Sequence, residues 1–340
     1  MKSKLIHKDF KFHGISYTAN AIVEYLKEKK EYYNFLKSWF DDKDYILTNT
    51  SGSTGKPKEI KLKKLDLIES SKLTARYFNI NAGDKIINCL PIKYIAGKMM
   101  LVRSLVLGLD LYIFPVTSSP ISDLKNNYEL IAFTPVQLEN SIPFIDKIKK
   151  VLVGGSPVQD SLKEKILDTK SMVYETYGMT ETITHIAVRN LTIGEKEFTT
   201  LPGIETGVKD NCLFIKPNHL SVEMVQTNDI VEFTKKNKFL LMGRRDFIIN
   251  SGGVKINPEA IEKKLSKYIS VDFVISSMDN SKFGEVVVLV FKKNIPKGYN
   301  KAFKHLSKFE IPKEILALNN FPENNGKINR LEIRNIINKK

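Results

Sequence analysis

Residues 45–58 read YILTNTSGSTGKPK, an apolar-rich run that passes directly into Thr50-Ser51-Gly52-Ser53-Thr54-Gly55-Lys56-Pro57-Lys58. The first five residues have the β-branched and aromatic content of a strand. The two glycines let the backbone turn tightly and approach an anion closely. Hydroxyl side chains and successive backbone N–H groups can donate to phosphate oxygens, and Lys56 and Lys58 add positive charge. The loop is not of the Walker A kind, which needs four residues between its glycines and Ser or Thr after its lysine. Here two residues separate the glycines and Pro57 follows Lys56. The plain alternative is a polar turn between strands.

Working outward, the stretch to about residue 176 alternates short apolar runs with amphipathic ones. YILTN, KIINCLP (85–91), LDLYIFP (109–115), YELIAF (128–133) and KVLVGG (150–155) read as strands. LIESSKLTARYF (67–78) and YIAGKMMLVRSLVLG (94–108) read as helices between them. Such alternation predicts βαβ units and a parallel sheet, with ligands at the carboxyl ends of its strands. From about 183 to 242 short strands and turns predict a β-rich subdomain: HIAVRN, GVKDNCLFIK, DIVEFT and FLLMG. Beyond Gly243 a helix from Pro258 to about Tyr268 has proline in its first turn. Two strands (VDFVISS, GEVVVLVF), another helix and a basic tail follow it. The expected architecture is a large α/β N-terminal domain, 1–242, and a small α+β C-terminal domain, 243–340.

The 340 residues, 42% hydrophobic, suffice for a large core and more than one domain. The start, MKSKLIHKDF, is mixed and charged, and no run of eighteen apolar residues occurs, so neither a signal peptide nor a membrane span is expected. The two cysteines, Cys89 and Cys212, lack the spacing of a zinc site or a disulfide framework. A cytoplasmic setting fits. The net charge is +15, mostly from lysine. It reads either as solvated surface or as attraction for polyanions such as ATP and coenzyme A. No helix-turn-helix, zinc-finger or RNA-recognition pattern points to nucleic acid. The oligomeric state is open.

Five further strings follow the loop. They are Gly154-Gly155-Ser156-Pro157, Tyr177-Gly178-Met179-Thr180-Glu181, Thr227-Asn228-Asp229, the pair Gly243-Arg244-Arg245-Asp246 and Ser251-Gly252-Gly253-Val254-Lys255-Ile256-Asn257-Pro258-Glu259, and Gly326-Lys327. Taken singly, the short ones are equally well read as turns. Taken in order with the loop, they resemble the signatures of the adenylate-forming superfamily: acyl-CoA synthetases, luciferases and peptide-synthetase adenylation domains.

That resemblance implies the following roles. Thr50 to Lys58 hold the β- and γ-phosphates of ATP. Thr180 touches the α-phosphate, Glu181 holds Mg²⁺, and Gly154, Gly155, Ser156, Tyr177 and Gly178 belong to the nucleotide site. Asp229 takes the ribose hydroxyls, although Asn228 stands where the family has Gly, and Arg244 reaches the ribose. Asp246 is the hinge of the small domain, Gly252 and Gly253 line the coenzyme A channel, and Lys327 is the catalytic lysine. Typical members carry another subdomain ahead of the phosphate loop, so the resemblance is to a shortened member. Within the superfamily, the short form and the run LPIKYIAGK (90–98) resemble the 2-succinylbenzoate–CoA ligases of menaquinone biosynthesis. Their acid has two carboxylates, and Lys93, Arg103 and His185 are candidates for the second. Each of the three is also readable as a surface charge or an ordinary strand side chain. Other readings are a ligase for another aryl or short-chain acid, an adenylation protein that loads a carrier-protein thiol, and a non-catalytic homologue.

Overall fold

Tyr45–Asn49 is a strand, but it pairs antiparallel with Glu59–Lys63 in a two-stranded sheet of its own and does not enter the parallel sheet. Ile46 and Thr48 face inward while Leu47 and Asn49 face out. A strand that buries one face suits an antiparallel pair. The computed structural model describes residues 5–49, 59–324 and 327–339. Thr50, Ser51, Gly52, Ser53, Thr54, Gly55, Lys56, Pro57, Lys58 and Gly326 lie outside the described residues.

The parallel sheet contains Asp110–Ile113, Lys85–Asn88, Tyr128–Phe133, Ile148–Val153 and Met172–Gly178, side by side in that order. Successive side chains point to opposite faces, and both faces are covered. Ile86, Leu130 and Leu152 enter a cluster with Leu67 and Phe78 of helix Lys64–Phe78 and with Met99 and Val102 of helix Ile95–Leu107. Ile87, Ile131, Val151 and Val153 enter another with Leu138, Leu162 and Ile166, from helices on the opposite side. Burial on both faces is why these strands read as continuous apolar runs. Helix Ile95–Leu107 is itself buried from Gly97 to Leu105 and stops at left-handed Gly108. It nevertheless carries two buried cations, Lys98 and Arg103.

The expected β-rich stretch divides in two. His185–Asn190, Phe198–Thr200, Lys238–Arg244 and Asp229–Lys235 extend the large sheet by antiparallel pairing. Only Ile204–Lys209, Cys212–Pro217 and Val225–Gln226 form a separate three-stranded sheet. Short hairpin connections allow this, because antiparallel neighbours need no crossover.

The last part builds on a five-stranded sheet around Gly284–Lys292. Val287, Leu289 and Phe291 face Ile261 and Leu265 of helix Pro258–Leu265. Val288 and Val290 face Ile333 and Ile337 of helix Arg330–Asn338. The basic tail of the sequence is thus largely that amphipathic helix, its apolar residues four apart on one face. Among the described residues no helix is long and apolar enough to cross a membrane.

Candidate active site

The parallel strands end on one edge of the sheet, where ligands collect in open α/β folds. Leu90 to Lys93 follow one of them, Gly154 to Ser156 the next but one, and Gly178 to Glu181 the last. Two of the strings singled out in the sequence are therefore neighbours through strands that pair directly.

After Gly178 the chain makes a short 3₁₀ turn, Thr180–Thr182, and returns as His185–Asn190. Gly178 lies opposite His185, and a Cβ on it would stand 2.3 Å from the Thr184 carbonyl oxygen, so only glycine fits. The return is strained. Ile183 is β-branched yet has φ 65 and ψ −54, and the Thr184 N–H donates to the Thr182 carbonyl at 2.7 Å. This is a γ-turn of the rarer hand, a conformation that clusters at functional sites. Burial of the Ile183 side chain in the large core holds it in place. Thr180 is buried beside the turn and Glu181 is exposed.

The turn delivers Thr184 and His185 to Arg103. The Thr184 hydroxyl accepts from Arg103 Nη2 at 2.8 Å and lies 3.1 Å from His185 Nδ1. Arg103 Nε and His185 Nε2 are buried with no partner among the described residues. Burial lowers the Arg103 guanidinium to about 10, so it stays charged near neutral pH. Burial, and then the positive charge of Arg103, push His185 well below its ordinary value, so the imidazole is neutral. A buried cation without a counterion costs several kcal/mol, and no carboxylate is bonded to this one among the described residues.

A second cluster has the opposite character. Asp229 and Arg244 face each other across an antiparallel pair and form an ion pair of 3.3 Å. Tyr177 donates to the other Asp229 oxygen at 2.5 Å, and Arg244 also bonds Asp246 at 2.6 Å. Asn228 donates to the remaining Asp246 oxygen at 2.9 Å. Burial, and then Asp229, raise the Tyr177 phenol far above its ordinary value, so it keeps its proton and donates. Burial alone would lower Arg244, but hydrogen bonding to Asp246 and the charge of Asp229 outweigh it and raise the guanidinium.

The sequence reading missed several residues. Glu175 is buried, accepts from Arg189 at 2.6 Å and from the Val158 N–H at 3.2 Å, and so ties the end of the Gly154–Pro157 loop to the sheet. Its signal was present: Val173, Glu175 and Tyr177 alternate inward, and a carboxylate in a core-facing stripe needs a buried partner. Thr184 had no signal apart from its neighbour.

Lys93 does not join Arg103 and His185. It is exposed, its ammonium 5.1 Å from the Tyr94 ring, at a different cleft. Gly252 and Gly253, with φ 58 and 83, make the two-residue hairpin between Ile249–Ser251 and Val254–Ile256, which requires positive φ at both positions. The Lys327 backbone pairs with Asn324.

Comparison with known proteins agrees with this geometry. The family of AMP-binding enzymes matches residues 14–211, more than half of the chain. A 2-succinylbenzoate–CoA ligase of Geobacillus sp. is 24% identical, the match covering 94% of this chain and 73% of that protein. The crystal structure of an acyl-CoA synthetase (AMP-forming)/AMP-acid ligase II-like protein from Dyadobacter fermentans is 33% identical, with a TM-score of 0.60, covering 89% of this chain and 92% of that one. The o-succinylbenzoate CoA synthetase of Bacillus subtilis, solved with an acyl-adenylate intermediate, shares the fold at a TM-score of 0.73 and 22% identity, over 85% of this chain and 68% of that one. With its parallel sheet, its ordered motifs and this family match, the chain belongs to the AMP-binding enzymes of the adenylate-forming superfamily.

Proposed function

We propose that the chain is an AMP-forming acid–thiol ligase that adenylates 2-succinylbenzoate with ATP and transfers it to coenzyme A, as in menaquinone biosynthesis. The observation that carries the choice of acid is Arg103, a buried cation with no carboxylate bonded to it among the described residues. A diacid brings a negative charge: one carboxylate reacts and the other neutralises the guanidinium, and His185 Nε2 is likewise without a partner among the described residues. The name of the Geobacillus relative points the same way.

A carboxylate oxygen is a poor leaving group. Its attack on the α-phosphorus of ATP yields an acyl adenylate and pyrophosphate; the coenzyme A thiolate then attacks the carbonyl and AMP departs. The protein contributes position and charge stabilisation. Thr50 to Lys58 embrace the β- and γ-phosphates, Thr180 the α-phosphate and Gly154 to Ser156 the adenine side, and Tyr177 and Gly178 belong to the same nucleotide site. Asp229 retains lone pairs for the ribose hydroxyls beyond those used by Tyr177 and Arg244. Exposed Glu181 suits a Mg²⁺ that arrives with ATP, since this ion is held by one or two carboxylates plus phosphates and neutralises their charge.

Residues 1–242 and 243–340 act as two units joined at Asp246. Lys327 stabilises charge in the first half-reaction, and Gly252-Gly253 admit the pantetheine arm in the second. One unit cannot present both at once, so it rotates between steps.

The test measures each half-reaction separately. With 2-succinylbenzoate, ATP, Mg²⁺ and coenzyme A the protein is expected to release AMP and form a thioester. Faster turnover of benzoate, acetate and fatty acids overturns the substrate but leaves the reaction class. Lys327→Ala is expected to abolish pyrophosphate exchange while thioester formation from supplied acyl adenylate persists. Asp246→Pro is expected to do the reverse, because proline fixes φ. Parallel losses in both half-reactions would remove the two-position mechanism.

A further inference from the structure

Helix Lys30–Phe40 has two unlike faces. Phe35, Leu36 and Trp39 enter the core, with Phe35 at the border of the two faces. Glu31, Asn34, Phe35 and Ser38 recur at helical spacing and share another face, which looks into a cleft of about 250 Å³. A stripe that met only water would be mostly charged, and a core stripe apolar. This one mixes a carboxylate, an amide, a hydroxyl and an aromatic ring. The opposite wall is Leu47 and Ile92, with Lys93 and Lys98.

Lys98 is the unusual member. It is 8% exposed, on a helix buried along most of its length. Its ammonium donates to the Lys93 carbonyl at 2.8 Å, which occupies one of its three donors. Among the described residues no carboxylate is bonded to it. Burial lowers the amine to about 8, and Glu31, acting through space, offsets only part of that. Arg103, five residues further on, lies about 140° round the helix and serves the Thr184–His185 cluster.

We propose that this cleft is a second binding site, for a small monocarboxylate with an apolar body, separate from the Arg103–Thr184–His185 cluster. Charge selects the ligand: Lys93 and Lys98 against Glu31 leave one uncompensated positive charge, which one carboxylate cancels and a phosphate dianion overshoots. The carboxylate accepts from the free Lys98 donors, with the Asn34 amide within the same cleft; the Ser38 hydroxyl, also on its wall, already donates to the Phe35 carbonyl at 2.8 Å. Phe35, Ile92 and outward-facing Leu47 meet its hydrocarbon part. Drug-sized ligands fill clefts of roughly 300–1,000 Å³, so a smaller space suits a single ring or a short chain. The assignment stands whichever acid the ligase activates.

The probe is Lys98 itself. The full chain, without nucleotide, is treated with an amine-acylating reagent near the value of about 8 at which that amine titrates. Labelling of the Lys98 peptide is followed by mass spectrometry against rising benzoate, benzamide or inorganic phosphate. Benzoate is expected to slow labelling saturably, by about tenfold at ten times its half-saturating concentration. Benzamide is expected to do nothing, and phosphate much less than benzoate. Protection should persist in Arg103→Met and vanish in Ser38→Leu, which fills the cleft. Asn34→Ala, a milder change, should weaken it without threatening the fold. No protection by benzoate, equal protection by phosphate or benzamide, or loss of protection in Arg103→Met each overturns the assignment. So does a Lys98 that the reagent cannot reach in the free protein.

Discussion

The two polar clusters near the Met172–Gly178 strand differ in how their charges are balanced. Around Asp229 the charges are paired: Tyr177, Arg244, Asp246 and Asn228 form a chain of bonds between 2.5 and 3.3 Å. Around Arg103 a cation and a neutral imidazole share one hydroxyl, and two ring or guanidinium nitrogens have no partner among the described residues. The first cluster can hold itself together without a ligand, and it joins residues on both sides of Gly243. The second is costly, because a buried cation has no carboxylate bonded to it among the described residues.

The strongest way to break this contrast is Arg103→Met. It is expected to lower kcat/KM for a diacid by about two orders of magnitude relative to a monoacid of the same shape. The same change should raise the urea midpoint, because a buried charge is replaced by an apolar chain of similar length. A lowered midpoint would make Arg103 a structural member like Arg244 and erase the difference.

Tyr177→Phe probes the closed cluster. It removes a hydrogen bond to a charged acceptor, worth about 1.5–3 kcal/mol, from Asp229. The unfolding free energy should fall by about that amount. An unchanged value would mean that Asp229 is already satisfied by Arg244 alone.

The smallest effect is in pH. His185 is neutral in the folded chain, whereas in the unfolded chain it takes a proton below its ordinary value of 6.5. Its contribution is fully present above pH 6.5 and is lost as pH falls, by up to about 1.4 kcal/mol per unit. His13 and His219 are also lowered, burial first, and add slope of the same sign. The fall in stability from pH 6.5 toward about 5 should therefore shrink, without vanishing, in His185→Gln. Equal slopes in the two proteins would show that folded His185 protonates freely, against the burial and the Arg103 charge that hold the ring neutral.

Much of the fold is legible in local sequence. Runs such as Tyr128–Phe133 and Ile148–Val153 are apolar at nearly every position because both their faces are covered. The helix that begins at Pro258 announces itself by the Asn257 cap and the proline in its first turn. The order of the strings from Thr50 to Lys327 was sufficient to suggest the family that the comparison then established. What local sequence could not decide was pairing. Tyr45–Asn49 has the composition of a strand, and nothing in it names Glu59–Lys63 as its partner.

The same limit applies to the candidate site. Lys93, Arg103 and His185 stood on equal terms in the sequence as cations for a second carboxylate. Only the tertiary structure sets Arg103 against Thr184, 81 residues away, and leaves Lys93 at another cleft. Turn chemistry and periodicity are written within a few residues, because they depend on backbone angles and on which face a side chain takes. Whether a buried charge finds a counterion depends on which distant strands and helices converge on it. That convergence decided that Arg244 is paired and that Arg103 has no counterion among the described residues.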